Sequence, residues 1–173
     1  AAAFPGTPAD SLGFEHAANA IAAFEAATWR SDASPFDRYL AGNDEAMPIA
    51  ARRGGVVFYG RGNCASCHAG NLLTDQSFAN IGVPQVGPGK AAEPPRDLGR
   101  AEATGAPAER YAFRTPSLRN TAITGPWMHD GVYATLEAAV RHYLDVPAAL
   151  YGYDASQLPL AFRDMVVTDP AMN

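Results

Sequence analysis

Cys64 and Cys67 are the only cysteines in the chain, and His68 follows at once in Cys-Ala-Ser-Cys-His. With both thiols in one motif, no disulfide framework is available to staple the fold. The spacing sets the two sulfurs one helical turn apart, with an imidazole directed beneath whatever they hold. A zinc site would need two further ligands, and the sequence has no second Cys pair. A thioredoxin-like dithiol would sit in strand-helix-strand alternation, which this pattern lacks. The chemistry that needs this arrangement is covalent haem attachment: the thiols add to the two vinyl groups and the histidine binds iron on one axial side.

Length and composition fit that reading. A chain of 173 residues is long enough to bury a core within one domain, and an apolar share of 47% is ordinary for a folded protein. Gly 16 and Pro 14 together are high and predict long ordered loops around a few helices. A net charge of −5, with Arg52-Arg53 the one adjacent basic pair, argues against nucleic acid as a partner. No apolar run approaches the roughly 18 residues of a membrane span. Ala1-Ala2-Ala3 lacks the charged start and apolar stretch of a signal peptide, so the chain reads as a mature protein or a piece of one.

Four helices are expected. Phe14, Ala17, Ile21 and Phe24 recur on one face of the first, with Thr7 as N-cap ahead of Pro8. Residues 31–42, with Pro35 and Gly42, read as a connection. A second helix starts at Asn43 as N-cap, with Asp44 and Glu45 in its first turn, and leads through Ile49, Val56 and Val57 towards Cys64. The third follows Thr135 and puts Leu136, Val140, Tyr143 and Leu144 on one face. A fourth covers residues 158–167. Between the second and third lies a long Pro- and Gly-rich segment, residues 69–134, of the kind that is functional when ordered. Within it Phe78, Ile81, Phe113, Leu118, Ile123 and Trp127 call for burial, short strands are expected near 77–81 and 112–114, and residues 89–107 are the part most exposed or mobile. The fold class is all-α with long loops and two short β-strands.

What a haem does depends on its second axial ligand. Met47, Met128 and Met165 read as packing residues, and Met172 as part of a mobile end. His16 and His142 read as surface or satisfied helix histidines. His129 stands apart, in a turn between Trp127-Met128 and Asp130-Gly131. Periodicity alone makes Tyr143 a buried core tyrosine.

A resemblance changes that last reading. The segments Ser34-Pro35-Phe36-Asp37-Arg38-Tyr39-Leu40, Gly62-Asn63-Cys64-Ala65-Ser66-Cys67-His68 and Thr74-Asp75-Gln76-Ser77-Phe78-Ala79-Asn80-Ile81-Gly82 come first. Phe113-Arg114-Thr115-Pro116-Ser117-Leu118-Arg119-Asn120, Thr124-Gly125-Pro126-Trp127-Met128-His129-Asp130-Gly131 and Thr135-Leu136-Glu137 follow in order. From Ala22 onward the chain thus resembles the C-terminal haem domain of the bacterial di-haem cytochrome c peroxidase/MauG family, a cytochrome c-like helical fold.

In peroxidases of this family an axial methionine stands fourteen residues after the histidine of the His-Asp-Gly turn. MauG-like members place a tyrosine there. Fourteen residues after His129 stands Tyr143, so the resemblance implies Tyr143 as axial ligand, with His129 in the catalytic neighbourhood. A tyrosinate favours ferric iron and makes higher oxidation states more accessible than a thioether does. Arg119, and after it Arg114, are the residues suited to haem propionates. The resemblance also implies a calcium site between two haem domains, with carbonyl oxygens from Thr124 and Pro126.

Residues 1–42 would then be a helix and connection leaving a missing N-terminal haem domain, and 43–173 a c-type haem domain short of its final helix. The implied activity is that of a MauG-like di-haem peroxidase. Hydrogen peroxide reacts at a partner haem, and the haem c of this chain stores or relays oxidising equivalents to an electron donor or protein substrate, in the periplasm. The isolated chain would not be active alone. A single-haem electron carrier is the alternative, and the long 69–134 segment argues against it.

Overall fold

The computed structural model describes residues 3–29, 33–88, 96–168 and 172. The chain divides into two compact units, Ala1–Val56 and Val57–Asn173.

In the first unit, Pro8 leads into a 3-10 turn, Ala9–Ser11, and helix α1, Phe14–Thr28, starts only after Gly13. The expected start at Thr7 is too early because Leu12 turns the backbone extended before the helix begins. The N–H of Gly13 donates to His16 Nδ1 at 3.0 Å, which satisfies one of the donors a helix start leaves over. Residues 33–42 are not simply a connection. Ser34 Oγ accepts from the Asp37 N–H while Asp37 Oδ2 accepts from the Ser34 N–H, a reciprocal cap that starts helix α2, Pro35–Leu40, with proline at its first turn. Asn43 does cap, accepting from the Glu45 N–H, but it caps a 3-10 turn, Asp44–Ala46. Pro48 then separates that turn from helix α3, Ile49–Tyr59.

In the second unit both expected strands form. β1, Phe78–Ala79, pairs antiparallel with β3, Phe113–Arg114, in the register Phe78↔Arg114 and Ala79↔Phe113. A second pair joins β2, Gln85–Val86, to β4, Val166–Val167. The predicted fourth helix is therefore wrong in kind: residues 160–165 make a 3-10 helix and the chain ends it as a strand. Residues 96–107 form local structure, with residues 102–105 exposed as expected. They carry helix α4, Ala101–Thr104, and Arg100 pairs with Glu109 at 2.9 Å while its guanidinium lies over the Phe78 ring. Residues 89–95 of that predicted exposed stretch lie outside the described residues.

Thr135 caps helix α5, Leu136–His142, by accepting from the Ala138 N–H, and α6, Val146–Tyr151, follows. Val83, Val132, Tyr133 and Ala139 form one core cluster, against which Ile81, Trp127 and Met128 pack. Tyr111, Leu150 and Met172 form another. Met172, expected to be mobile, is thus fully buried against Tyr111 and Leu150. Ile123, expected inside, is exposed in its 3-10 turn, and Met165, expected to pack, is largely exposed. No described helix is long and apolar enough to cross a membrane. The architecture is a cytochrome c-like helical domain with long loops.

Candidate haem site

Helix α3 delivers the chain to the motif through a tight turn. The Gly62 N–H donates to Val57 O at 2.8 Å, and a Cβ at Gly62 would come within 2.7 Å of that oxygen, so the turn needs glycine. Asn63 takes left-handed backbone geometry, and Cys64–Ser66 form a 3-10 turn. The N–H groups of Cys67 and His68 both return to Cys64 O. Two thiols and an imidazole are thereby held on one turn, with Cys64 exposed and Cys67 half-buried.

His68 Nδ1 lies 3.0 Å from the carbonyl oxygen of Leu73. A carbonyl only accepts, so Nδ1 carries the proton and Nε2 is left with its lone pair, the arrangement a metal-binding histidine requires. A second segment holds the loop that presents Leu73. Thr74 Oγ1 donates to Thr115 O at 2.7 Å, Ser117 Oγ to Leu72 O at 2.6 Å, and Arg119 Nε to Asn71 O at 2.8 Å. Thr115–Arg119 thus straps the loop after the motif. Nothing in the sequence pattern of Thr74, Thr115 and Ser117 announces this, since the pairs are some 40 residues apart.

Tyr143 ends α5 and is 53% exposed, contrary to a core tyrosine. Its face of the helix, with Leu136, Val140 and Leu144, is apolar yet uncovered, while the same helix buries Ala139 and His142. The phenol is pushed above its ordinary range by burial first, then by the Cys67 and Cys64 sulfurs within electrostatic reach. Tyr143 is therefore a neighbour of the attachment turn. Arg119 lies on the loop beside that turn. Arg114 is further along the strap in β3 and spends one guanidinium N–H on Gln76 Oε1 at 2.7 Å.

His129 belongs to a different neighbourhood. Its ring stacks on Phe113 at 3.5 Å between centroids, and its Nε2 is 4.0 Å from Asp130 Oδ2. Asp130 is a residue that the sequence reading passed over. Its side chain is 11% exposed, Oδ2 accepts from the Val86 N–H at 3.0 Å, and Oδ1 is buried with no hydrogen-bond partner. Burial, with the charge of Asp97 adding to it, raises its carboxyl to about 6. Thr124 and Pro126 flank Gly125 beside the Trp127 ring, in a turn where Trp127 Nε1 donates to Thr121 O. Among the described residues no group of three or more His, Cys, Asp or Glu converges on a metal position; carbonyl ligands are a separate matter.

This donor set fits a covalently held haem: two thiols on one turn, an imidazole whose Nε2 is freed by its Nδ1 bond, a tyrosine close to the sulfurs, and an uncovered apolar face on the same helix.

No protein-family model matches the chain. The methylamine utilization protein MauG of Methylorubrum extorquens is 39% identical over 138 residues, which is 78% of this chain and 36% of that protein. The cytochrome c551 peroxidase of Pseudomonas aeruginosa is 37% identical over 129 residues, 75% of this chain and 36% of that protein. A crystal structure of a MauG-like protein associated with microbial copper homeostasis superposes with a TM-score of 0.60 at 34% identity, covering 77% of this chain and 43% of that one. The chain spans little more than a third of the length of the curated relatives it matches.

Proposed function

The chain belongs, over the three quarters of its length that align, to the family of MauG and the bacterial cytochrome c peroxidases, and from that premise we propose that it is the C-terminal haem c domain of a MauG-like di-haem peroxidase. Its part would be to store or relay oxidising equivalents between a partner haem that meets hydrogen peroxide and an electron donor or protein substrate. A bound haem supplies the one-electron chemistry; the chain supplies everything that decides its direction.

Cys64 and Cys67 would anchor the macrocycle by thioether bonds, and His68 Nε2 would bind one axial side. The Leu73 carbonyl, by holding the Nδ1 proton, keeps the ring in the binding tautomer and makes it a better donor. Tyr143 would supply a further iron ligand, and as tyrosinate would favour the ferric state. Leu136 and Val140 would lie against the macrocycle and keep water from that face. Arg119 would meet a propionate, and Arg114 would have to exchange its Gln76 partner to do so. We assign His129 to the catalytic neighbourhood through its stack on Phe113 rather than to the iron.

Thr124 and Pro126 would each give a backbone oxygen to a calcium ion at the boundary with the partner domain. Calcium takes about six to eight oxygens, so the partner or water would supply the others. Residues 1–42 would form the connection to that domain and 43–173 the haem domain itself. Covalent haem is matured outside the cytoplasm, and we place the protein in the periplasm.

The observation that carries this reading is the attachment turn, where two thiols stand with an imidazole whose Nδ1 proton is held by the Leu73 carbonyl. Haem counting on the purified native assembly tests it. Two haems c, with peroxide turnover that the haem-loaded chain alone lacks, are expected. One haem and no peroxide reaction would make the protein a single-haem electron carrier instead.

A further inference from the structure

Tyr133 and His142 form a buried pair that the haem-holding role does not use. His142 is 1% exposed, and its Nε2 lies 2.6 Å from Ile81 O. Because that carbonyl only accepts, Nε2 carries the ring proton and Nδ1 is an acceptor. The Tyr133 hydroxyl, 2.9 Å from Nδ1, is therefore the donor. A buried phenol is thus bonded directly to an imidazole nitrogen, against the Val83, Val132 and Ala139 cluster.

The pair is also connected. The His142 ring stands 5.7 Å from the Tyr143 ring, and the Tyr133 ring 5.7 Å from His142. Tyr153 extends the series, its ring 5.8 Å from Tyr133. Its hydroxyl, however, donates to Val132 O at 2.6 Å. A peptide carbonyl cannot take a proton at neutral pH, so Tyr153 cannot be oxidised to a neutral radical by a local transfer. Tyr133 can.

We propose that Tyr133 and His142 form a proton-coupled redox site that receives an oxidising equivalent from the haem beside Tyr143. The proposal rests on reading this chain as a haem domain that is oxidised beyond the ferric state. In the step, one electron leaves the Tyr133 ring for the one-electron oxidant at the haem. The phenolic O–H bond breaks, and an N–H bond forms at His142 Nδ1. The products are a neutral tyrosyl radical and an imidazolium still bonded to Ile81 O, and the haem side is reduced by one electron. Reduction by an external donor runs the proton back. Burial raises the Tyr133 phenol above its ordinary range, so loss of the proton without the electron is disfavoured.

A structural clamp on the end of α5 would use the same hydrogen bonds, so the test reads the radical. The haem-loaded protein is oxidised by a flash-generated ruthenium(III) polypyridyl complex, followed by transient absorption and, after freezing, by electron paramagnetic resonance. A persistent tyrosyl signal is expected, formed more slowly in heavy water, lost in Tyr133→Phe and kept in Tyr153→Phe. Equal yield and lifetime in Tyr133→Phe would overturn the proposal, as would no tyrosyl signal in the unaltered protein. Should Tyr133→Phe fail to fold, electron-nuclear double resonance on the unaltered protein decides. An exchangeable proton bonded between the radical oxygen and an imidazole nitrogen is expected, and its absence would refute the pair. The oxidant is supplied without peroxide, so a failure of the peroxidase reading gives a different result: no peroxide turnover, with the radical intact.

Discussion

His68 Nδ1 and the Leu73 carbonyl oxygen lie 3.0 Å apart, five residues along the chain, and this bond leaves Nε2 as the ring nitrogen that can bind a metal. Leu73 sits in left-handed backbone geometry, which a leucine adopts only when its surroundings hold it there. The Ser117 hydroxyl donates to Leu72 O and accepts from the Arg119 N–H. Ser117→Ala should therefore lower stability by about 1–2 kcal/mol, read from urea denaturation of the haem-loaded protein. It should also perturb the ferric spectrum as the imidazole loses its fixed orientation. An unchanged midpoint would mean that the strap does not hold the loop.

Tyr143→Phe removes the oxygen proposed as the second axial ligand while keeping the ring. The ferric absorption and electron paramagnetic resonance spectra should change spin state, and the haem should become easier to reduce because the ferric-stabilising ligand is gone. Identical spectra would remove Tyr143 as a ligand and return attention to Met128.

Asp130 gives a pH dependence with a definite sign. Its carboxyl is raised from 3.8 to about 6 by burial, so the folded state binds a proton that the unfolded state has already released. Stability from this group is complete below about pH 4, falls as pH rises to about 6, and is level above that, a loss of up to about 3 kcal/mol. Asp130→Asn keeps an acceptor for the Val86 N–H and carries no charge. The difference in denaturation midpoint between it and the parent should grow between pH 4 and 6 in favour of the variant. A difference independent of pH would contradict the burial account.

Thr135 starts the helix that ends at Tyr143. Thr135→Ala leaves the Ala138 N–H without its side-chain acceptor and should cost about 1 kcal/mol in thermal or urea unfolding. It should also perturb the ferric spectrum slightly through the displaced tyrosine.

What the sequence made legible was local chemistry. The attachment turn needs only five consecutive residues, the cap at Thr135 only four, and strands β1 and β3 each lie in a short run expected to be extended, though nothing in either run names the other as its partner. The helix boundary near Asn43 failed because a capping residue followed by acidic residues starts a 3-10 turn as readily as an α-helix, and the one near Pro8 because the turn there ends at the extended Leu12. Proline and glycine just beyond, at Pro48 and Gly13, then restart the helix later. The Ser34–Asp37 cap went unread because Pro35 was taken for a breaker, though proline is at home in a first turn. His142 and Asp130 owe their roles to Ile81 and Val86, 61 and 44 residues away, and no local pattern encodes such partners. Tyr143 looked like core because its helical face is apolar. The structure leaves that face uncovered, and in the proposed function an apolar macrocycle rather than protein would cover it.

The most direct measurement is a pyridine haemochrome spectrum of the purified, acid-extracted protein, set beside the same spectrum of a Cys64→Ala, Cys67→Ala variant. One haem per chain, retained after extraction with the spectrum of two saturated vinyl groups and absent from the variant, is the predicted result. Haem that extracts freely from the parent protein, or no haem at all, would contradict the account at its base.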